Sequence, residues 1–147
     1  MFISGYGERS FFVGNTRLFG SIFVTKKQVF LWDVSNPNEI TIESLALAEH
    51  LNPTPTLLLV GTGRGIVRLP PEVHEHFRQN GVVIEEMNTV SAVSTFNILN
   101  QEGRDVCCAC ISLEPVNVKD LTPQKSPAVF LEIQEAISRR PTKSPLI

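Results

Sequence analysis

The sequence predicts an α/β fold in which an antiparallel β-meander is followed by a β-α-β-α-β unit. Three short apolar runs, which begin at Leu57, Val82 and Val106, indicate the second unit. They lack polar alternation, as strands buried on both faces do. Segments 70–80 and 89–102 separate the runs, and each is long enough to cross over a sheet. We therefore expect three parallel strands joined by right-handed crossovers.

The N-terminal third indicates strands joined by tight turns. Gly14-Asn15 suits the primed turn of a two-residue hairpin. Lys26-Lys27 separates two further strand-like runs at 21–25 and 28–34. Because Phe, Val and Ile are abundant here, we expect an antiparallel meander, closed by the turn residues 35–38.

A first helix is predicted between the meander and the parallel unit. Its apolar residues recur at helical spacing, at Ile42, Leu45, Ala48 and Leu51. Thr41 is a suitable N-cap because its hydroxyl can accept a hydrogen bond from the first turn.

The two crossover helices carry signals at both ends. Proline is tolerated in the first turn of a helix, so residues 70–71 predict the start of the second helix. Gly81 is a left-handed cap at its end. Asn88 or Thr89 caps the third helix, which ends at Gly103.

The length of 147 residues predicts one domain with a core that needs no metal or disulfide. The net charge is −2. Acidic and basic residues are intermixed, which argues against a nucleic-acid partner. The apolar runs are far shorter than the roughly 20 residues of a membrane-spanning helix. We expect a single α/β domain over 1–114 and a C-terminal tail over 115–147, with a peripheral helix near 128–140. A leader peptide is not seen in this chain.

All three cysteines lie in one predicted strand. Cys107 and Cys108 should face opposite sides of the sheet, whereas Cys108 and Cys110 share a side. A secreted disulfide framework would spread its cysteines along the chain. We interpret the three as small buried apolar residues in a reducing compartment.

A glycine-rich segment, Gly61-Thr62-Gly63-Arg64-Gly65, follows the first parallel strand and raises the question of phosphate binding. It lacks the Lys-Ser or Lys-Thr of a P-loop, and its third glycine comes too early for a dinucleotide fingerprint. Glu85 and Glu86 stand where a ribose-binding acid would, which keeps nucleotide binding open. The alternative is that the glycines let the chain turn sharply off a buried strand.

The histidines do not predict a metal site. His74 and His76 are two residues apart on a helix, so they point in nearly opposite directions and cannot chelate one ion together. His50 is isolated. No spacing typical of a nucleophile and its base occurs, so we predict no catalytic residue, no cofactor and no enzyme activity.

A polar cluster accompanies the third helix and the glycine segment. Polar residues such as Thr and Asn are mildly unfavourable inside a helix unless their side chains are used. One interpretation is structural, with Asn97 bonding carbonyls of the 61–65 loop and Arg104 pairing with Glu102 or another carboxylate. The other is a small polar pocket for a nucleotide or a carboxylate. The candidate ligand-binding residues are Gly61, Thr62, Gly63, Thr89, Thr95, Asn97, Glu102 and Arg104.

Four stretches, taken in order, resemble one small α/β family. They are Val60-Gly61-Thr62-Gly63, Gly81-Val82-Val83-Ile84-Glu85, Ala92-Val93-Ser94-Thr95-Phe96-Asn97 and Glu102-Gly103-Arg104. The family includes the mitochondrial assembly factor 3 of respiratory complex I (NADH:ubiquinone oxidoreductase) and uncharacterised bacterial and archaeal proteins. Tyr6, the hairpin at 11–15 and the strand end at 32–34 resemble the mitochondrial branch, and the resemblance covers residues 2–114.

The resemblance implies three layers: antiparallel strands packed on a mixed sheet that carries helices on its other face. It also implies a non-enzymatic, chaperone-like scaffold that assembles mitochondrial complex I through protein–protein contacts. The expected location is the matrix side of the inner membrane. The expected partners are complex I subunits and other assembly factors, with any membrane association arising through those partners. The alternative function is small-ligand binding at the polar cluster.

Overall fold

The computed structural model of this chain describes residues 1–115, which form eight strands, two α-helices and two 3₁₀ helices. The strands are β1 (Ile3–Tyr6), β2 (Ser10–Val13), β3 (Thr16–Phe19), β4 (Ser21–Val24), β5 (Val29–Trp32), β6 (Leu57–Gly61), β7 (Val83–Met87) and β8 (Val106–Cys110). The helices are α1 (Pro71–Gln79) and α2 (Thr89–Gln101), with 3₁₀ helices at Pro37–Glu39 and Glu43–His50. The predicted tail and its helix near 128–140 lie outside the described residues.

The strands form two sheets. An antiparallel sheet has the order β1-β2-β3, and a mixed sheet has the order β5-β4-β8-β6-β7. Strand β6 pairs in parallel with both β7 and β8, which confirms the predicted parallel unit. The predicted meander is not continuous, because β4 pairs with β8 and so belongs to the large sheet. The chain changes sheet at Gly20, whose φ is 91°.

The core has two halves, one on each face of the large sheet. On one face, residues of the small sheet pack with α2, including Phe11, Leu18 and Phe96. On the other face, α1 and the longer 3₁₀ helix contribute Phe77 and Leu45. The predicted fold class is thus confirmed. The expectation that the helices lie on the other face of the large sheet from the antiparallel strands holds for α1 but is wrong for α2, which packs on the same face as the small sheet.

The local end signals are found where the sequence predicts them. Gly14 has a φ of 61° in the two-residue turn between β2 and β3. Gly81 and Gly103 follow α1 and α2 with φ values of 81° and 82°. The Asn88 side chain caps α2 by accepting a hydrogen bond from the Ser91 N–H.

The first predicted helix differs in type. Thr41 Oγ1 accepts a hydrogen bond from the Ser44 N–H at 3.1 Å, as a capping residue does. The segment that follows is a 3₁₀ helix rather than an α-helix. Its first turn contains the hydrogen bond between residues three apart that defines a 3₁₀ helix, from the Leu45 N–H to Ile42 O at 3.2 Å. The same N–H also donates to Thr41 O at 3.3 Å.

Strand β7 corrects a second prediction. Strands β6 and β8 are central and buried, but β7 is an edge strand. Val83 and Glu85 are exposed, whereas Ile84 and Glu86 are buried. The apolar run that begins at Val82 predicted a strand buried on both faces, and this prediction is wrong for β7. Exposed and buried residues alternate along this strand, and its second half contains the two glutamates.

The cysteines face the two sides as predicted. Cys107 belongs to the core half beneath α1, and Cys108 and Cys110 belong to the half beneath α2. Burial raises the pKa of the Cys107 thiol well above its ordinary value. Burial likewise raises the pKa of Cys108, with a further contribution from Cys110, whose Sγ lies 2.9 Å away. The Cys107 and Cys108 thiols are therefore protonated at neutral pH and pack as apolar groups. Among the described helices, none has both the length and the apolar character that a membrane crossing needs.

Candidate functional site

The glycine segment after β6 lies against the start of α2. A Cβ atom placed on Gly61 would lie 3.0 Å from the Thr89 Cα and 3.2 Å from the Ala92 Cβ. Gly63 adopts a φ of 94°, which glycine reaches without strain. The first glycine is needed for close approach and the second for the turn, as the structural interpretation of this segment expects.

The two threonines of the candidate site bond to the main chain. Thr89 is fully buried; its hydroxyl donates to Ile111 O at 2.6 Å and accepts from the Gly63 N–H at 2.9 Å. Its own N–H donates to Gly63 O at 2.8 Å. The single side chain thus joins β8, α2 and the loop.

The Thr62 hydroxyl is engaged in a similar way. It donates to Gly65 O at 2.6 Å and accepts from the Val67 N–H at 3.0 Å. Its own N–H donates to Met87 O at 2.9 Å, at the end of β7. These bonds hold the loop in its path from β6 toward α1.

An ion-pair network covers the outer side of the loop. Arg64 approaches Glu114 at 3.0 Å and Glu8 at 3.6 Å, and Arg9 approaches Glu114 at 3.3 Å. The Glu114 N–H also donates to Glu8 O at 2.7 Å. Consequently the residues after β8 and the turn before β2 lie together beside the glycine segment.

Asn97 has a different partner from the predicted one. We expected its amide to bond carbonyls of the 61–65 loop. Instead, Asn97 Oδ1 accepts from the Ile3 N–H at 2.9 Å, and its Nδ2 donates to Ile3 O at 2.8 Å. The reason is its position two turns into α2, where the helix passes β1 rather than the loop. Asn97 therefore attaches the small sheet to α2.

The remaining candidate residues lie farther along α2. Thr95 is half-buried in the middle of the helix, and Glu102 and Arg104 are exposed at its end. A 13-residue α-helix is about 20 Å long, so these charges are remote from Thr89 at its start. Within residues 1–115, no ion pair joins Arg104 to Glu102. The structure brings together Gly61, Thr62, Gly63 and Thr89 and leaves the other four apart, and ligand binding by this set stays a prediction.

A second polar site, which the sequence analysis missed, lies between α1 and β7. The Glu86 side chain is 2 % exposed and lies 3.5 Å from Arg68. It accepts hydrogen bonds from the Leu69 N–H at 2.7 Å and from His74 Nε2 at 2.6 Å. A cleft of about 470 Å³ opens beside it and is lined by Arg68, Leu69, Pro71, His74, Glu75, Arg78, Val83, Ile84 and Glu86.

The environment of Glu86 favours its charged form. Burial raises the pKa of this carboxyl group, but the hydrogen bonds from Leu69, from His74 and from its own backbone N–H, together with the electrostatic effect of His74, lower the pKa by more. The net pKa lies below the ordinary value, so Glu86 is ionised at neutral pH. This carboxylate fixes the approach to α1 and orients His74 along the cleft.

The signal for this site was present in the sequence. Glu85 and Glu86 were considered together, as acids that could bind a ribose, although adjacent strand residues face opposite sides. In the structure Glu85 is exposed and Glu86 points toward α1. The two histidines of α1 likewise have separate carboxylate partners, because His74 contacts Glu86 and His76 contacts Glu49.

A smaller cleft, of about 340 Å³, lies between the β4–β5 turn and the start of β8. Lys26 and His50 are among the residues that line it, and Cys107 contributes to its wall. Lys26 Nζ donates to Asp105 Oδ1 at 2.8 Å and to Gly103 O at 3.2 Å. The lysine therefore joins the β4–β5 turn to the end of α2, which is a structural use.

Comparison with known proteins places the fold in a family. Residues 3–111 match the family described as "Protein of unknown function (DUF498/DUF598)". The chain belongs to this family. The matched range ends just after β8, so the DUF498/DUF598 fold comprises both sheets and both α-helices.

Curated relatives carry the name "NADH dehydrogenase [ubiquinone] 1 alpha subcomplex assembly factor 3", which confirms the resemblance found in the sequence. The Bos taurus protein is 38% identical and the Xenopus tropicalis protein 36% identical, each over 111 residues. The match covers 76% of this chain and 60% and 61% of those relatives, so the chain spans less than two thirds of their length. An uncharacterised Rhodobacter capsulatus protein is 29% identical and is covered over 84% of its length.

Solved structures of bacterial proteins share the DUF498/DUF598 fold. A crystal structure from Bordetella parapertussis is 36% identical with a TM-score of 0.70, covering 76% of this chain and 94% of that one. A solution structure from Bordetella pertussis, described as an Mth938-like domain, is 28% identical with a TM-score of 0.74. The match covers 81% of this chain and 90% of the Bordetella pertussis chain.

Proposed function

We propose that this protein is a non-enzymatic assembly factor for mitochondrial respiratory complex I and acts through protein–protein contacts. The names of its curated relatives support the role in assembly. The proposed partners are complex I subunits and other assembly factors. The proposed location is the matrix side of the inner membrane, with any membrane association arising through those partners.

The observation that carries the mechanism is an exposed aromatic surface on the small sheet. Phe12 is 38% exposed on the face opposite the core, and a Cβ atom placed on Gly5 would lie 3.6 Å from its ring. The Arg17 guanidinium lies 5.5 Å from the Phe12 ring centre and 4.7 Å from that of Phe19. Aromatic and arginine side chains are enriched where proteins bind each other, so this aromatic surface suits a partner protein.

The polar chemistry of the strand ends supports the same conclusion. The hydroxyls of Thr62 and Thr89 hold main-chain groups of the protein itself. An enzyme of this fold class would place reactive side chains at these strand ends. Here the side chains support the architecture, and the outer surfaces remain for recognition.

Cells that lack the protein provide the test. We expect assembled complex I to fall, on native gels and in NADH oxidation, while the other respiratory complexes keep their levels. Re-expressed wild-type protein should restore complex I, and Phe12→Ser should restore much less. Ile66→Ser is the matched control, because Ile66 is 56% exposed on the loop before α1 and outside the aromatic surface. Normal complex I in the deleted cells would contradict the proposal.

A further inference from the structure

Within residues 1–115, strand β7 ends the large sheet, and no other strand pairs with its outer edge. The Val83 N–H donates to Thr56 O at 3.0 Å, and Met87 O accepts from the Thr62 N–H at 2.9 Å. In a parallel pair these alternate residues direct their polar groups toward the neighbouring strand. The N–H and C=O groups of Ile84 and Glu86 therefore point away from β6, which is the arrangement that an added strand requires.

The cleft beside this edge has two exposed arginine side chains at its rim. Arg68 and Arg78 have side chains 77% and 71% exposed, and His74 lies between them in the cleft lining. Of the two acids nearby, Glu86 is buried, accepts from Leu69 and His74 and lies 3.5 Å from Arg68, and Glu75 pairs with Arg78. Each guanidinium group thus approaches one carboxylate already, but both are largely exposed, and the five N–H donors of a guanidinium group allow each to bind a further carboxylate.

The other face of the edge has a different character. Val83 is 56% exposed, and Glu85 is exposed beside it. Because the side chains of a strand alternate, a strand added to β7 would direct every second side chain into the cleft and the others toward Val83 and Glu85. The two faces therefore select an acidic side chain on one side and an apolar or basic one on the other.

We propose that the edge of β7 binds an extended segment of a partner protein as an additional strand, with an Asp or Glu side chain entering the cleft between Arg68 and Arg78. This inference rests on the proposed function and deepens it by giving the chemistry of one partner segment. Main-chain hydrogen bonds to Ile84 and Glu86 supply the docking, and the arginines supply the specificity.

The direct test uses the full chain and two synthetic peptides. The acidic peptide alternates Glu with Thr and Val, and the control peptide has Lys at every Glu position. At about 1 mM peptide, we expect the acidic one to slow hydrogen exchange at the Ile84 and Glu86 amides, measured by NMR. Arg78→Glu should weaken this binding by about tenfold or more. Leu31→Lys, on the opposite edge strand β5 where Leu31 is 52% exposed, should leave it unchanged.

Several outcomes would overturn the proposal. One is unchanged exchange at both amides, and another is equal binding of the basic peptide. Protection of these amides without peptide, in a dimer detected by light scattering, would assign the edge to a second copy. Protection in the monomer that disappears when residues 116–147 are removed would assign it to this chain.

Complementation separates this proposal from the proposed function. In cells lacking the protein, Val83→Lys should restore complex I poorly, whereas Leu31→Lys should restore it as wild type does. If Val83→Lys restores it fully, the docking edge is wrong and the assembly role stands. If deletion leaves complex I normal, the assembly role is wrong, and the exchange experiment still decides the edge.

Discussion

The loop after β6 and the edge of β7 differ in what their polar groups bind. In the loop, the buried hydroxyls of Thr62 and Thr89 bond to carbonyls of the same domain. At the edge, the main-chain groups of Ile84 and Glu86 point outward beside a cleft of about 470 Å³. In related topologies, ligands bind at the position of this loop, but here the hydroxyl groups of the loop and of α2 bond to main-chain groups of the same domain. The hydrogen-bond partners of a site therefore say more about its role than its position in the fold.

Buried polar groups explain why the loop is built this way. A hydroxyl or amide without a partner costs about 1–3 kcal/mol when it is removed from water. The turn off a buried strand exposes several such groups at once, and the threonines satisfy them together with α2. Glu86 follows the same rule, since the Leu69 N–H and His74 satisfy its carboxylate.

The largest effect is expected at the close approach of the loop to α2. In Gly61→Ala, the new methyl group would lie 3.0 Å from the Thr89 backbone, which cannot move without moving α2. We expect a loss of about 1–3 kcal/mol in the free energy of unfolding, measured by urea denaturation. Gly65→Ala is the control, because no atom lies within 4 Å of its added methyl group. Equal effects of the two substitutions would contradict the structural interpretation of the loop.

A smaller, pH-dependent effect is expected at Glu86. Its pKa is lower in the folded chain than in the unfolded one, where the pKa of a Glu is about 4.3. The resulting stability is present above that value and is lost as the pH falls through the folded pKa. At neutral pH, Glu86→Gln should unfold more easily than wild type by about 1–3 kcal/mol.

The difference between Glu86→Gln and wild type should shrink as the pH is lowered, in denaturation curves recorded at pH steps below about 5. Glu85→Gln provides the comparison, since Glu85 is exposed on the opposite face of the same strand. Its stability should stay within about 0.5 kcal/mol of wild type. A constant difference for Glu86→Gln across the same range would mean that the carboxylate does not stabilise the cleft.

Much of the fold could be predicted because local chemistry determines it. Gly14-Asn15, Asn88 and Gly103 each specify one turn or one helix end, and all three act as expected. The apolar runs gave the parallel unit because β6 and β8 are buried on both faces. Such signals depend only on neighbouring residues in the sequence, so they can be recognised without the tertiary structure.

The parts that were missed depend on distant neighbours. Asn97 bonds to Ile3, 94 residues away, and no local pattern indicates that pairing. The edge position of β7 depends on the strand order, which places β8 rather than β7 at the centre. The cleft follows from that order, because Glu86 acquires its partners only when α1 packs against an edge strand.

The smallest effect is expected at the ion pairs that cover the loop. Arg64 is 57% exposed, although it approaches Glu114 at 3.0 Å and Glu8 at 3.6 Å. Exposed pairs contribute at most about 1 kcal/mol, and salt screens them, so Arg64→Ala should lower stability only slightly and less at high salt. Arg104→Ala, at an exposed site after α2, should show no salt-dependent loss. A loss of stability well above about 1 kcal/mol in Arg64→Ala would mean that ion pairs, rather than the threonine hydrogen bonds, hold the loop in place. The difference between the loop and the β7 edge would then depend on the charge of Arg64 and not on the partners of the buried hydroxyls.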